Sequence, residues 1–236
     1  MRVEFRLFGW VHLAILAAVP LVAGLAARYT RRHPRRARAV RLILGTVMAA
    51  NVAAWYLHEI ATGAVRFPGS LPLQLCDFAT WFGIAAVFTL RPALFELAYY
   101  TGIAGSGMAL LTPDLWAPLC AYPSIEFFVE HGLTVTAALY LVWSRQARPR
   151  PGSAWRTWIL LHGYAAAIGT FNAVFHTNYF YICRKPEQFS VLNWFGPWPW
   201  YILAGDALAL ALLWLLGLPF KPRGSAAPRS SRSPAP

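Results

Sequence analysis

Seven apolar stretches of about 20 residues, each long enough to cross a lipid bilayer as a helix, constrain this chain more than any motif does. They run from Leu7 to Ala27, Leu42 to Thr62, Leu71 to Leu90, Pro92 to Leu111, Pro123 to Trp143, Thr157 to His176 and Pro199 to Leu218. With 58% hydrophobic and only 13% charged residues among 236, the chain reads as a polytopic membrane protein. The expected fold is all-α, a bundle of seven transmembrane helices forming one domain over residues 1–219. Residues 220–236 are Pro, Ser, Arg and Ala without periodicity and are expected to be a disordered basic tail. Met1 to Tyr29 resembles a signal peptide, but its apolar run is too long and its dense positive charge follows that run. It is therefore expected to remain as the first span.

The net charge of +12 does not point to nucleic acid, because the basic residues sit between the apolar runs and at the C-terminal end. They report orientation instead. With the N-terminus outside, Arg28, Arg31, Arg32, Arg35, Arg36, Arg38 and Arg41 are cytoplasmic, and sixteen of the 21 Lys and Arg fall inside. That asymmetry selects N-out and C-in. Trp116, Tyr122, Tyr179, Tyr181, Trp194, Trp198, Trp200 and Tyr201 then form the outer aromatic belt.

At about 1.5 Å per helical residue, Cys76 lies roughly 8 Å and His131 roughly 12 Å below the outer edges of their spans. His12, His58, Glu59, Asp77, Glu130, Asn172 and Asp206 fall in the same outer half, whereas Glu96 alone marks the inner half and is expected to reach the interface near Arg91. Helical steps put Asn51, Trp55, His58 and Thr62 on one stripe and His162, Ala165, Gly169, Asn172 and His176 on another. Such stripes must face protein or water. The small residues Thr101, Gly102, Ala104, Gly105, Ser106 and Gly107 read as a close packing surface. Glu126 and Glu130, four apart, read as a carboxyl pair sharing a proton or as one buried and one solvated group.

Each of these has a plainer reading. A buried cysteine is ordinarily a small apolar side chain, and an intramembrane histidine is as often a hydrogen-bonding group between helices. Asp77 points about 100° from Cys76 and is not expected to activate it. Cys120 and Cys183 fall in extracytoplasmic loops where a bridge is permitted, although three free thiols are equally compatible with the sequence.

Several segments carry a resemblance. They are Phe5-Arg6-Leu7-Phe8-Gly9-Trp10-Val11-His12, Leu71-Pro72-Leu73-Gln74-Leu75-Cys76-Asp77, Thr112-Pro113-Asp114, Phe127-Phe128-Val129-Glu130-His131-Gly132, Thr177-Asn178-Tyr179 with Lys185-Pro186, and Gly196-Pro197-Trp198-Pro199-Trp200-Tyr201. From the first span to the last, the chain resembles the YwaF-like family of bacterial integral membrane proteins. That family is similar to the vertebrate transmembrane acyltransferases that remodel ether phospholipids with a membrane-embedded cysteine and a histidine on a later helix. Cys76 and His131 match that pair, while Gln74 stands where bacterial relatives are expected to have histidine.

The resemblance implies acyl transfer at a multi-pass protein of the plasma membrane, with phospholipid and lysophospholipid as partners, no nucleic acid and no cofactor. A thiol alone in apolar surroundings is inert, and a histidine within reach removes its proton during attack. Cys76 and His131 are the expected catalytic pair, with Asp77, Glu130, His58, Glu59 and Asp206 in support and Asn172, Asn178 or Tyr179 as oxyanion donors. Two other classes fit the same residues. One is a lipid hydrolase or thioesterase with the same pair, and the other is a transporter or lipid-binding protein using Glu59, Asp77, Glu130 and Asp206 as a path. Against the latter stand the bare inner half and the lack of an inverted repeat. A metal site of His58, Glu59, Asp77 and His131 has no tight ligand motif behind it.

Overall fold

The computed structural model describes residues 5–186 and 190–220, and the expected tail, apart from Phe220, lies outside them. Among the described residues the secondary structure is entirely helical. The elements are α1 (Trp10–Arg32), α2 (Ala37–Thr62), α3 (Leu75–Thr89), α4 (Pro92–Thr101), α5 (Gly107–Leu111), α6 (Tyr122–Trp143), α7 (Ser153–Phe175) and α8 (Trp200–Gly217). A π-helical turn, Gly102–Ser106, joins α4 to α5, so the small-residue run forms one rod with a widened middle. Five helices, α1, α2, α6, α7 and α8, are long and apolar enough to cross a membrane.

Local chemistry moves several boundaries from their expected places. Phe8 has φ +56° and Gly9 caps α1, so the first helix starts at Trp10 and not at Leu7. At its other end α1 continues through Arg31 and Arg32, and Pro34 then forces a short 3₁₀ turn before α2 begins at Ala37. Arginine is a good helix former whose long stem reaches water from a helix end, so the basic loop is mostly helix. The third helix loses Leu71 to Gln74 for a reason taken up below.

The core gathers around α6, which packs against α1, α2, α3 and the π turn, while α3 lies along α4. Phe95, Tyr100, Tyr140 and Leu141 are buried there with Met48 and Leu213. Three polar pairs cross between helices within it: Thr30 with Tyr140 at 3.0 Å, Thr80 with Thr134 at 2.8 Å and Tyr100 with Ser153 at 3.0 Å. His12 is fully buried and structural. Its Nδ1 accepts the Phe8 N–H at 2.9 Å, so its Nε2–H donates to the Leu110 carbonyl at 2.7 Å and ties α1 to α5. Glu96 is also buried, and its ion pairs are with Arg150 at 2.7 Å and Arg156 at 3.5 Å, not with Arg91.

Helices α7 and α8 pack chiefly on each other and stand at the flank of this core. Close approach elsewhere depends on missing side chains. A Cβ at Gly45 would sit 2.8 Å from Val87 Cγ2, and one at Gly105 3.0 Å from Leu75 Cδ2, whereas Gly107, Gly163 and Gly169 face open space. Gly45→Ala is therefore expected to destabilise the α2–α3 contact by about 1–3 kcal/mol through overpacking. Gly163→Ala, on α7, should be neutral or stabilise by up to about 1 kcal/mol, because alanine restricts the unfolded chain and fits the helix. Thermal unfolding of both variants in the same detergent checks the contrast.

Candidate active site

The approach to α3 is built from Leu71-Pro72-Leu73-Gln74, a segment that does not join the helix because Gln74 caps it. The Asp77 carboxylate accepts the Gln74 N–H at 2.8 Å, and the Gln74 carboxamide oxygen accepts the Asp77 N–H in return. The same oxygen also accepts the Phe180 N–H at 2.9 Å. Cys76 consequently occupies the second helical position, in the first turn of α3. Its sulfur lies against the backbone amides of Cys76 and Asp77. Asp77 is committed to the cap, which agrees with its sideways direction from the thiol.

His131 belongs to α6, one turn after Phe127. Its ring stacks on the Phe127 ring at 4.2 Å, and its Nδ1 lies 2.7 Å from the Phe127 carbonyl oxygen. A carbonyl only accepts, so Nδ1 carries the hydrogen and Nε2 presents its lone pair. The residue is 4% exposed, and Nε2 has no partner among the described residues.

Cys76 and His131 line one cavity of about 830 Å³, well within the range of sites that enclose a ligand. No hydrogen bond joins them among the described residues, an ordinary condition for a thiol and base before substrate arrives. Asp77, Glu130, Glu59, Glu126, Asp206 and Tyr179 line the same cavity, so most of the expected supporting residues do converge. Glu126 is buried and accepts from Asn51 at 3.0 Å, and Glu130 lies beside the Thr80 hydroxyl. The α2 stripe thus faces α6.

His58, Asn172 and Asn178 stand elsewhere. His58 packs on Tyr122 with ring centres 4.5 Å apart. Asn172 is buried and brackets Tyr179, accepting its N–H and donating to its carbonyl, both at 2.9 Å. Asn178 binds the backbone of Cys183 and Arg184 in an exposed loop. Tyr179 reaches the cavity, but its hydroxyl donates to the Pro68 carbonyl at 2.6 Å and accepts the Leu71 N–H at 3.1 Å. All three expected oxyanion donors are therefore occupied with holding backbone. Cys120 and Cys183 are exposed free thiols, and no three His, Cys, Asp or Glu side chains converge as a metal site among the described residues.

Two features were not read from the sequence. Asp206 accepts the Trp158 indole N–H at 3.0 Å and lies 3.4 Å from His162 Nε2, joining α8 to α7 beside the cavity. Both pairs sit on the cavity side of α7, where the stripe through His162 was the available signal. At the cavity rim the Tyr181 hydroxyl donates to Asp114 at 3.2 Å. Burial, and then the Asp114 carboxylate, push that hydroxyl above its usual range and keep it protonated.

No curated protein and no solved structure matches the chain. A family match does exist, and it runs nearly end to end. Residues 7–217, from before α1 to the last residue of α8, fit the TMEM164 family of transmembrane proteins, and the chain belongs to that family.

Proposed function

We propose that this protein is a multi-pass acyltransferase of the plasma membrane that moves phospholipid acyl chains through a thioester on Cys76. The observation that carries the reading is the shared cavity: a thiol in the first turn of a helix and an imidazole with an unoccupied Nε2 line the same space. The likeness of the Cys76 and His131 segments to the lipid acyltransferases with a membrane cysteine and histidine points the same way.

In the first half-reaction His131 Nε2 takes the thiol proton as Cys76 Sγ attacks the ester carbonyl carbon. The tetrahedral intermediate then collapses. The C–O bond breaks, and the departing lysophospholipid oxygen takes the proton from His131. In the second half His131 removes the proton of a lysophospholipid hydroxyl, whose oxygen attacks the thioester. The C–S bond breaks and the thiolate regains a proton, so the enzyme is restored without a cofactor. The helix N-terminus favours the thiolate electrostatically, and the largely apolar cavity limits water as a competing acceptor.

In this reading the seven helical rods are seven spans with the N-terminus outside and the C-terminus inside. The arginines support it, since the C-terminal end of α1, the start of α4 and the α6–α7 connection then share the cytoplasmic side. Cys76 sits close to the outer interface under that orientation, where a phospholipid ester lies.

Cys76→Ala is expected to abolish acyl transfer, and His131→Ala to lower it by about 10²–10⁴-fold with folding retained. Mass spectrometry of the wild type incubated with phospholipid should find a hydroxylamine-sensitive acyl adduct on Cys76. Transfer that persists in Cys76→Ala sinks the assignment, and free fatty acid in place of acylated lysolipid makes the enzyme a hydrolase. For orientation, single cysteines at Arg35 and Pro186 are expected to react with an impermeant thiol reagent only at the latter in intact cells. Labelling at position 35 from outside reverses the topology.

A further inference from the structure

Acyl transfer at Cys76 generates a negative oxygen on the former ester carbonyl, and the side chains expected to receive it are occupied with backbone. We propose, building on the acyltransferase reading, that the backbone N–H groups of Leu75 and Cys76 form the oxyanion hole. The accounting of the α3 N-terminus leads there. A helix leaves its first amides without intrahelical acceptors. Here the Asp77 N–H goes to the Gln74 carboxamide and the Phe78 N–H to the Gln74 carbonyl at 3.1 Å. The Leu75 N–H is left without an acceptor among the described residues, and the Cys76 N–H meets only its own side-chain sulfur.

Both residues line the cavity, so the first turn of α3 borders the space in which a reacting carbonyl would sit. An independent feature marks the same place. His131 is 96% buried (4% exposed), and its unpartnered Nε2 borders the same cavity. An ester bound between Nε2 and the helix end would have its carbonyl carbon at Sγ and its oxygen toward the two amides. The dipole of the 15-residue helix adds to their pull on the developing charge. Cys76 would thus supply both the attacking atom and one donor, with Leu75 supplying the other.

Leu75 is the first helical residue, a position where proline removes the N–H without costing a helical bond. Gln74 is extended, with φ −72° and ψ 160°, as a residue before proline needs to be. The experiment uses the full-length protein in a Cys120→Ser/Cys183→Ser background, with diacyl phosphatidylcholine vesicles as donor and a lysophospholipid as acceptor. Leu75→Pro is compared with Leu75→Ala, which loses the same side chain but keeps the amide. A second variant carries leucic acid at position 75 by nonsense suppression, exchanging only the amide N–H for an ester oxygen.

The expected result is a drop in kcat on the order of 10²–10³-fold for both amide-deleted forms, the loss seen when one oxyanion donor is removed. Alkylation of Cys76 by iodoacetamide, a displacement of iodide that forms no oxyanion, should keep the rate of the parent. Unchanged transfer in the leucic acid form overturns the oxyanion hole while leaving Cys76 and His131 as the catalytic pair. Equal losses of transfer and alkylation in that form also overturn it, because they show displacement of the thiol. A wild type without an acyl adduct on Cys76 brings down the acyltransferase reading itself.

Discussion

The carboxamide of Gln74 governs the geometry of everything around the cavity. Its oxygen accepts amides from two segments distant in sequence, Asp77 in the first turn of α3 and Phe180 in the connection after α7. Where lipid excludes water, an amide without a protein acceptor is costly, so this one side chain both ends the extended approach and sets the helix register. A register shifted by a single residue would turn Cys76 about 100° away from the cavity. The docked connection is held against local backbone preference. Phe180 and Tyr181 have φ of +64° and +50°, conformations that cost on the order of 1–3 kcal/mol each and persist only where surrounding bonds impose them. The Phe180 bond to Gln74 and the Asn172 bracket around Tyr179 supply that constraint.

The same economy of polar groups explains why the bundle divides as it does. Across α1 to α6 some buried hydroxyls meet one another, as Thr30 with Tyr140 and Thr80 with Thr134, others bond backbone carbonyls, and bulky aromatic and aliphatic groups fill the remainder. The flank formed by α7 and α8 is different. Leu213 reaches the apolar core and Ser153 meets Tyr100, while near the cavity the ties are hydrogen bonds, Tyr164 to the Leu73 carbonyl at 2.9 Å and, from the connection after α7, Tyr179 to Pro68 and Leu71. The bonds near the cavity land on the segment that leads into α3, not on the helix itself. The flank therefore walls the cavity and braces the approach to α3 without filling it.

Much of the architecture could be read from hydropathy, because apolar runs of membrane length leave few alternatives to helices. Proline marks two helix starts well, Pro92 in α4 and Pro123 in α6, since its missing N–H removes no helical bond there. The errors came where polarity worked against hydropathy. Leu71-Pro72-Leu73 is as apolar as any helix, and only the Gln74 and Asp77 pair, three residues apart, signals that the helix starts later. The pair resembles a capping box, yet glutamine at the cap is uncommon enough to pass unnoticed. Glu96 was misread toward Arg91 because sequence proximity says nothing about Arg150, which reaches it from a connection 54 residues away. Depth put Cys76 and His131 on one level, and both do line one cavity, whereas the commitments of Asn172, Asn178 and Tyr179 could not be read, since short-range backbone bonds leave no periodicity.

Sorting the polar groups at the cavity by what they already hold separates scaffold from chemistry. Asp77 holds a helix cap, Glu126 holds Asn51, Tyr179 holds two backbone groups of the α2–α3 connection, and Asp206 holds Trp158. A group bound in that way must break a bond to assist a reaction, and in a low-dielectric site that loss is close to the full strength of the bond. The Cys76 sulfur and His131 Nε2 have no such bond to give up between side chains, and the amides of Leu75 and Cys76 have none to give up along the backbone. Among the groups lining the cavity, those without such a bond include the Cys76 sulfur and the Leu75 amide at the first turn of α3, Nε2 of His131 on α6, and the buried Oε2 of Glu59 on α2.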